Sequence, residues 1–98
     1  MAVHVDPERR EVRALRGVAE WRGRRVLEIG CGEGRLTERL AGLGARVHAI
    51  DADAALLRTA RRRLTPRYGS RVRFRVGTAD SLEHYAESFD LVVYSWVF

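Results

Sequence analysis

Apolar residues along this chain follow two alternating spacings, which predict strands and helices in turn. Four short runs are rich in Val, Ile, Leu and aromatic residues and are bounded by Gly, Ser or Asp, as buried strands are. They are RRVLEI at 24–29, ARVHAI at 45–50, RVRFRV at 71–76 and FDLVVYSWVF at 89–98. The third run alternates Arg with apolar residues, which predicts one covered and one exposed face.

Two segments between these runs have helical spacing. The segment 34–44 places three leucines on one helix face, and Gly44 is predicted to stop the helix. The segment 51–64 is predicted to be capped by Asp53 and to end before Pro66, with arginines that complement the helix dipole in its last turns.

Helical segments are also predicted at the start of the chain and before the last strand. Residues 6–8, DPE, have the acceptor, the proline and the acid of a helix start, and this helix ends near Gly23. Residues 81–88 predict a short helix. We therefore expect a single domain over residues 1–98, with an N-terminal helical segment at 1–22 and a core at 23–98.

Alternation of strand and helix predicts the α/β class with a parallel sheet. Right-handed crossovers give the four predicted strands the order 3-2-1-4. The fourth strand then lies at an edge, where its large apolar side chains are exposed. We expect a chain of this kind to be a fragment, or to form a homodimer or to pair with a partner chain through that edge.

Composition narrows the classes of partner and compartment. The net charge is +5, but every basic residue is arginine and the arginines are spread along the chain, so a nucleic-acid partner is an alternative that is not favoured. Cys31 is the only cysteine, and no metal site is expected. Neither a signal peptide nor a membrane span is recognised, and the expected location is cytoplasmic.

The stretch VLEIGCGEG at 26–34 carries the candidate chemistry. Glu28 lies inside an otherwise apolar strand, where a carboxylate is costly unless a partner is bound to it. A strand, a glycine turn and a helix start together form a general nucleotide-binding device. An alternative is that Glu28 only ties down the backbone of the turn.

The details of this turn favour a cationic ligand. Arg35 stands where a dinucleotide site would have its third glycine, and no Lys-Ser or Lys-Thr pair follows for a triphosphate. Glu28 and Glu33 would repel a pyrophosphate but attract a positive group.

With these residues in place, the sequence resembles the class I S-adenosylmethionine-dependent methyltransferases. VLEIGCGEGRLTERLA, VHAIDAD, VGTAD and FDLVVYSWVF are similar to four successive signature segments of that family, and the resemblance covers about residues 10–98. It implies a Rossmann-like fold that is truncated here relative to the family's seven-stranded sheet. It also implies S-adenosylmethionine as cofactor, which is a cationic ligand.

The resemblance implies roles for the residues of the glycine turn. Glu28, with Gly30 and Gly32, would hold the amino-acid end of the cofactor, while Cys31 and Gly34 complete the turn. Cys31 is expected to be a small buried residue and not a nucleophile.

Residues after the second and third strands would hold the nucleoside. Asp51 would accept hydrogen bonds from the ribose hydroxyls, and Ala52 would lie against the adenine. Asp80 would accept from the adenine amino group, and the backbone N–H of Ala79 or Ser81 would face a ring nitrogen. The alternatives are that Asp51 caps a helix and that Asp80 is a plain loop residue.

The end of the fourth strand would lie near the transferred methyl group, at Tyr94 and Ser95. The expected function is methyl transfer to an acceptor, most simply a small molecule, with no catalytic residue assigned. Two alternatives remain at this stage. One is a non-catalytic binding or assembly module completed by a partner chain, and the other is an NAD(P)-dependent oxidoreductase, which Glu28 and Arg35 disfavour.

Overall fold

The computed structural model describes residues 2–5, 20–78 and 88–95, and side chains are described for the last two of these ranges. The described residues contain five strands, two α-helices and a short 3-10 helix at Gly69–Arg71. In chain order the strands and α-helices are β1 (Ala2–Val5), β2 (Arg25–Ile29), α1 (Arg35–Gly42), β3 (Arg46–Asp51), α2 (Ala54–Tyr68), β4 (Val72–Val76) and β5 (Leu91–Ser95).

The five strands form one parallel sheet in the order β1-β5-β2-β3-β4. The four strands predicted from the sequence are β2 to β5, and their predicted order 3-2-1-4 is confirmed. All strands run in the same direction. We call the end of the sheet where the strands start the amino end, and the end where they finish the carboxyl end.

The prediction that the fourth strand is an exposed edge is wrong, because β1 pairs with it. Val3 is in register with Val93, and Val5 with Ser95. The prediction of a helical segment at 1–22 is also wrong for residues 2–5. A strand of four residues is too short to show a period, so its sequence gave no signal. The predicted helix that starts at 6–8 lies outside the described residues.

Both described helices form close to their predicted positions. Asp53 caps α2, accepting from the N–H groups of Ala55 and Leu56. This helix continues to Tyr68 with Pro66 inside it, so the predicted stop before Pro66 is wrong. A proline in the last turn removes only one hydrogen bond, and the chain then turns at Gly69, which has a φ of 58°.

Both helices pack on the same face of the sheet. Leu36 and Leu40 of α1 and Leu57 of α2 contact alternate residues of the strands in one buried cluster. The other residues of this cluster are Trp21, Val26, Cys31, Ala45, Val47, Ala49, Leu91 and Val93. A smaller cluster, built on Leu27, Ile29 and Ile50, covers the opposite face. The alternation of side chains along β2 therefore directs Glu28 toward the helices.

Candidate cofactor-binding site

The glycine turn, residues 30–34, connects β2 to α1 at the carboxyl end of the sheet. The N–H groups of Gly30 and Cys31 both donate to the carbonyl of Ile50 in β3, at 2.8 and 3.1 Å. The N–H of Gly34 donates to the carbonyl of Cys31 at 3.0 Å, which closes the turn. The turn follows directly from β2 and is thus also anchored to β3 by hydrogen bonds.

Gly32 and Gly34 have positive φ values of 57° and 89° for different reasons. A Cβ at Gly34 would lie 2.9 Å from Leu64 Cδ1 and 3.2 Å from Ala60 Cβ, so this glycine allows α2 to pack against the turn. A Cβ at Gly32 would meet no atom within 4 Å. The space beside Gly32 is therefore open to a ligand that approaches the backbone.

Glu28 is fully buried beneath this turn. Its Oε1 accepts from Thr37 Oγ1 at 2.5 Å, and its Oε2 is buried with no hydrogen-bond partner among the described residues. Burial raises the pKa of Glu28 to about 7, while the hydrogen bond from Thr37 lowers it and the charge of Asp51 raises it further. A buried carboxylate oxygen without a donor is the acceptor that a cationic ligand group would complete.

Asp51, the last residue of β3, ties the turn to the start of α2. Its Oδ2 accepts from the N–H of Gly32 at 2.9 Å, and its Oδ1 accepts from the N–H of Asp53 at 2.8 Å. Each carboxylate oxygen has a further lone pair, so both can still accept from a pair of hydroxyls. The alternative in which Asp51 caps α2 is wrong, because Asp53 is the cap.

Tyr94 and Ser95 lie on opposite faces of the sheet. Tyr94 packs against the cluster of Leu27, Ile29 and Ile50. Ser95 points by alternation to the Glu28 face, is 1% exposed, and has an Oγ without a partner among the described residues. The structure thus brings Ser95, but not the side chain of Tyr94, to the face on which Glu28 lies.

The remaining predicted residues are placed as follows. Cys31 is buried in the main cluster, and desolvation raises the pKa of its thiol well above the ordinary range, so it remains a neutral thiol. This fits the interpretation as a small buried residue. Ala52 is exposed immediately after Asp51. Ala79, Asp80 and Ser81 lie outside the described residues.

Thr37 is a site residue that the sequence interpretation missed. It is fully buried, and its hydroxyl is the one donor to Glu28 among the described residues. A signal was present in the sequence. A buried Glu28 needs a donor nearby, and Thr37 lies one helical turn before the buried Ala41, on the apolar face of α1.

Two further features bear on the class of site. Within residues 20–78 and 88–95, no group of three or more potential metal ligands lies close enough to hold an ion. None of the described helices is long and apolar enough to cross a membrane.

Comparison with known proteins identifies the family. A family model described as a methyltransferase domain matches residues 26–98. The chain is 42% identical over 71 residues to the ubiquinone biosynthesis O-methyltransferase of Methylocella silvestris, covering 72% of this chain and 27% of that protein. It is 44% identical over 73 residues to the protein-L-isoaspartate O-methyltransferase of Methylorubrum populi, covering 74% and 34%.

A solved structure gives the same result. Phosphoethanolamine N-methyltransferase 1 of Haemonchus contortus, in complex with phosphoethanolamine and S-adenosylhomocysteine, matches with a TM-score of 0.73 and 28% identity over 86% of this chain and 18% of that one. The chain therefore spans about a third or less of the length of these proteins. Neither the oxidoreductase nor the binding-module alternative is supported by these matches. The chain belongs to the class I S-adenosylmethionine-dependent methyltransferases, with their Rossmann-like parallel sheet.

Proposed function

We propose that this chain binds S-adenosylmethionine at the glycine turn, and that the protein to which it belongs transfers the methyl group to an oxygen of a small-molecule acceptor. The single observation that carries the proposal is Glu28 Oε2, a fully buried carboxylate oxygen at the carboxyl end of the sheet to which none of the described residues donates. Ligands of open α/β sheets bind at this end.

Glu28 would bind the ammonium of the cofactor's amino-acid end. An ammonium can donate to Oε2 while Thr37 continues to donate to Oε1. A positive charge at this position favours the ionised carboxylate, which burial alone disfavours. Ser95 Oγ is the second buried polar atom without a partner among the described residues, and it would complete its hydrogen bonds at the same ligand end.

Asp51 would bind the two ribose hydroxyls. Its oxygens are held in place by the N–H groups of Gly32 and Asp53, so the carboxylate is oriented before the ligand arrives. The open space beside Gly32 would let the amino-acid part or the ribose of the ligand approach the turn. Ala52, exposed next to Asp51, would border the adenine.

The mechanism assigned to this chain is positioning. S-adenosylmethionine supplies an electrophilic methyl group on a sulfonium when bound. Glu28 would hold the amino-acid end of the cofactor and Asp51 its ribose, on either side of the sulfonium, which would align the methyl group for an in-line displacement and lower the entropic part of the barrier. Neither carboxylate is assigned as a catalytic base, since both are used in binding.

The acceptor is proposed from the relatives. The matched proteins of Methylocella silvestris and of Homo sapiens are both ubiquinone biosynthesis O-methyltransferases, the latter mitochondrial and 40% identical over 78 residues. A catechol and a primary amine of similar size, offered in parallel to the full-length protein with the cofactor, would separate oxygen from nitrogen as acceptor. Methylated catechol in mass spectrometry supports the proposal, and methylated amine alone contradicts it.

Calorimetric titration with S-adenosylhomocysteine tests the cofactor site. Glu28→Gln removes the charge but not the shape, and we expect the dissociation constant to rise by about tenfold or more. Glu20→Gln is the control, because Glu20 is an exposed carboxylate outside the glycine turn, and it should change the constant by less than about twofold. Equal affinity of the Glu28→Gln variant and the parent would overturn the assignment.

A further inference from the structure

A cavity of about 360 Å³ lies at the amino end of the sheet, at the opposite end from the glycine turn. Four of the residues that line it are arginines, namely Arg25, Arg46, Arg71 and Arg73. Among the residues that the structure describes, no Asp or Glu lines it. The carboxylate of Asp90, which is not part of the lining, accepts through Oδ2 from the backbone N–H of Arg25 at 2.8 Å.

Three of these arginines, Arg25, Arg46 and Arg73, come from neighbouring strands in matched register, and Arg71 directly precedes β4. Arg25 of β2 is the Cα partner of Arg46 in β3, and Arg73 of β4 is the partner of His48 in β3. Like charges placed directly opposite each other on adjacent strands are destabilising unless an anion or solvent compensates them. The pairing therefore concentrates positive charge in a concave site.

His48 reports the same electrostatic field. Its pKa is lowered first by desolvation and then by the charges of Arg75, Arg73 and Arg25. The side chains of Arg25, Arg46 and Arg73 are exposed and so accessible to a ligand. Arg71 is instead held in place, since its guanidinium donates to the carbonyl of Ala41.

One wall of the cavity is aromatic. Phe89 lies edge-on to His48, with ring centroids 5.8 Å apart, and the guanidinium of Arg25 lies 5.3 Å from the Phe89 centroid. A planar group of a ligand can therefore lie beside the same arginines that bind its charge.

We propose that this cavity binds a small ligand that carries a chain of phosphate groups. Guanidinium groups bind phosphate through paired hydrogen bonds, and the cationic groups of the cavity match a polyphosphate better than a single carboxylate. The volume is within the range of small-molecule sites, roughly 300 to 1,000 Å³. A free polyphosphate and a nucleoside triphosphate share this chemistry, and the nucleoside can add contact with Phe89.

The site is separate from the cofactor site and does not rest on the proposed function. Arg25 and Ile29 are the first and last residues of β2, so about 13 Å of strand separates the two ends of the sheet. Binding at the amino end should therefore leave the affinity for S-adenosylhomocysteine within about twofold, because exposed charges at this distance are screened by salt.

Calorimetric titration of the chain with inorganic tripolyphosphate, and in parallel with ATP, tests the proposal. We expect binding of tripolyphosphate, and a loss of about tenfold for Arg46→Gln and for Arg73→Gln, each of which removes an exposed arginine of the cavity. Tighter binding of ATP would identify the nucleotide as the source, and equal binding the free polyphosphate.

Arg62→Gln is the matched control, since Arg62 is exposed on α2 outside this cavity. The affinity of this variant for tripolyphosphate should stay within about twofold of the parent's. Absence of binding by the parent chain overturns the proposal, as does an equal loss in the Arg62→Gln variant. A single-stranded RNA that binds more tightly than ATP, with equal losses in all three variants, would show an extended basic surface instead and would also contradict it.

Discussion

The two ends of the parallel sheet differ in how their polar groups are satisfied. At the amino end, the backbone groups at the starts of β2 and β3 have hydrogen-bond partners within the chain. Arg46 N–H donates to the carbonyl of Arg24, Asp90 N–H donates to the carbonyl of Arg25, and Arg25 N–H donates to the Asp90 carboxylate. Most of the positive charge at this end is on the exposed side chains of Arg25, Arg46 and Arg73, where water can solvate it.

At the carboxyl end, two buried polar atoms have no partner among the described residues. They are Glu28 Oε2 and Ser95 Oγ, and no other buried side-chain oxygen or nitrogen of the described chain is in this state. A buried polar group without a hydrogen bond costs free energy, so it is retained where a ligand completes it. Buried polar atoms without a partner therefore mark the end at which the cofactor is proposed to bind, while exposed positive charge marks the other end.

The largest expected effect is a loss of stability in Gly34→Ala, compared with the same substitution of a glycine at the other end of the sheet. Gly34→Ala at the carboxyl end combines a left-handed backbone with a contact of 2.9 Å to Leu64, and should lower the free energy of unfolding by about 2 to 5 kcal/mol. Gly23→Ala at the amino end has a similar φ of 75° but no atom within 4 Å, and should cost only about 1 to 2 kcal/mol. Urea denaturation measures both. Equal losses would contradict the packing role of Gly34.

The second prediction concerns pH and isolates Glu28. Its carboxyl has a pKa of about 7 in the folded chain against an ordinary 4.5, so the folded state binds more protons between these values. Its contribution to stability is fully present below about pH 4.5 and is lost as the pH rises through about 7, by on the order of 3 kcal/mol.

The difference between the parent and Glu28→Gln, taken at each pH by denaturation from about pH 5 to pH 8, isolates this trend. The comparison is needed because His48, whose pKa is lowered, has the opposite dependence. A difference that does not vary with pH would show that Glu28 is already ionised in the folded chain.

The third prediction separates ribose binding from helix capping. Asp51→Ala should weaken S-adenosylhomocysteine binding by about 1.5 to 3 kcal/mol, because charge-assisted hydrogen bonds are removed. Asp53→Ala, which removes the cap of α2, should lower stability by about 1 kcal/mol and leave affinity within about twofold. Calorimetric titration of both variants decides the matter, and an unchanged constant for Asp51→Ala would remove Asp51 from the site.

The smallest expected effect concerns the donor to Glu28. Thr37→Val removes the hydrogen bond that lowers the Glu28 pKa, so the pH at which S-adenosylhomocysteine binding is half-maximal should rise by about 1 to 2 pH units. Thr59→Val is the control, because Thr59 donates only to the Ala55 carbonyl on α2. A midpoint that shifts equally in both variants would contradict the role of Thr37.

Elements with a local sequence signal could be predicted, and those that depend on distant residues could not. The apolar runs and the Asp53 cap carry local signals, and from them the order of β2 to β5 was predicted correctly. β1 was missed because four residues have no period, and its place beside β5 depends on pairing with residues about ninety positions away.

The sequence predicted that Glu28 requires a binding partner, but it did not predict which residues contact the site carboxylates. Glu28 was found because an acid in an apolar strand is costly, and it is buried as expected. The Thr37 hydrogen bond and the bond between Gly32 N–H and Asp51 depend on how α1 and β3 meet the turn. The spacing places Thr37 on the apolar face of α1, but it does not show which strand residue its hydroxyl contacts or which backbone group Asp51 accepts from.

The most direct test of the cofactor assignment is the number of protons released when S-adenosylhomocysteine binds, measured by calorimetry near pH 6 in two buffers of different ionisation enthalpy. At that pH the Glu28 carboxyl is mostly protonated, and an incoming ammonium ionises it, so the parent chain should release about one proton per ligand bound. Glu28→Gln should release none. Equal proton release by the two proteins would show that Glu28 does not receive the amino group, and would contradict the account.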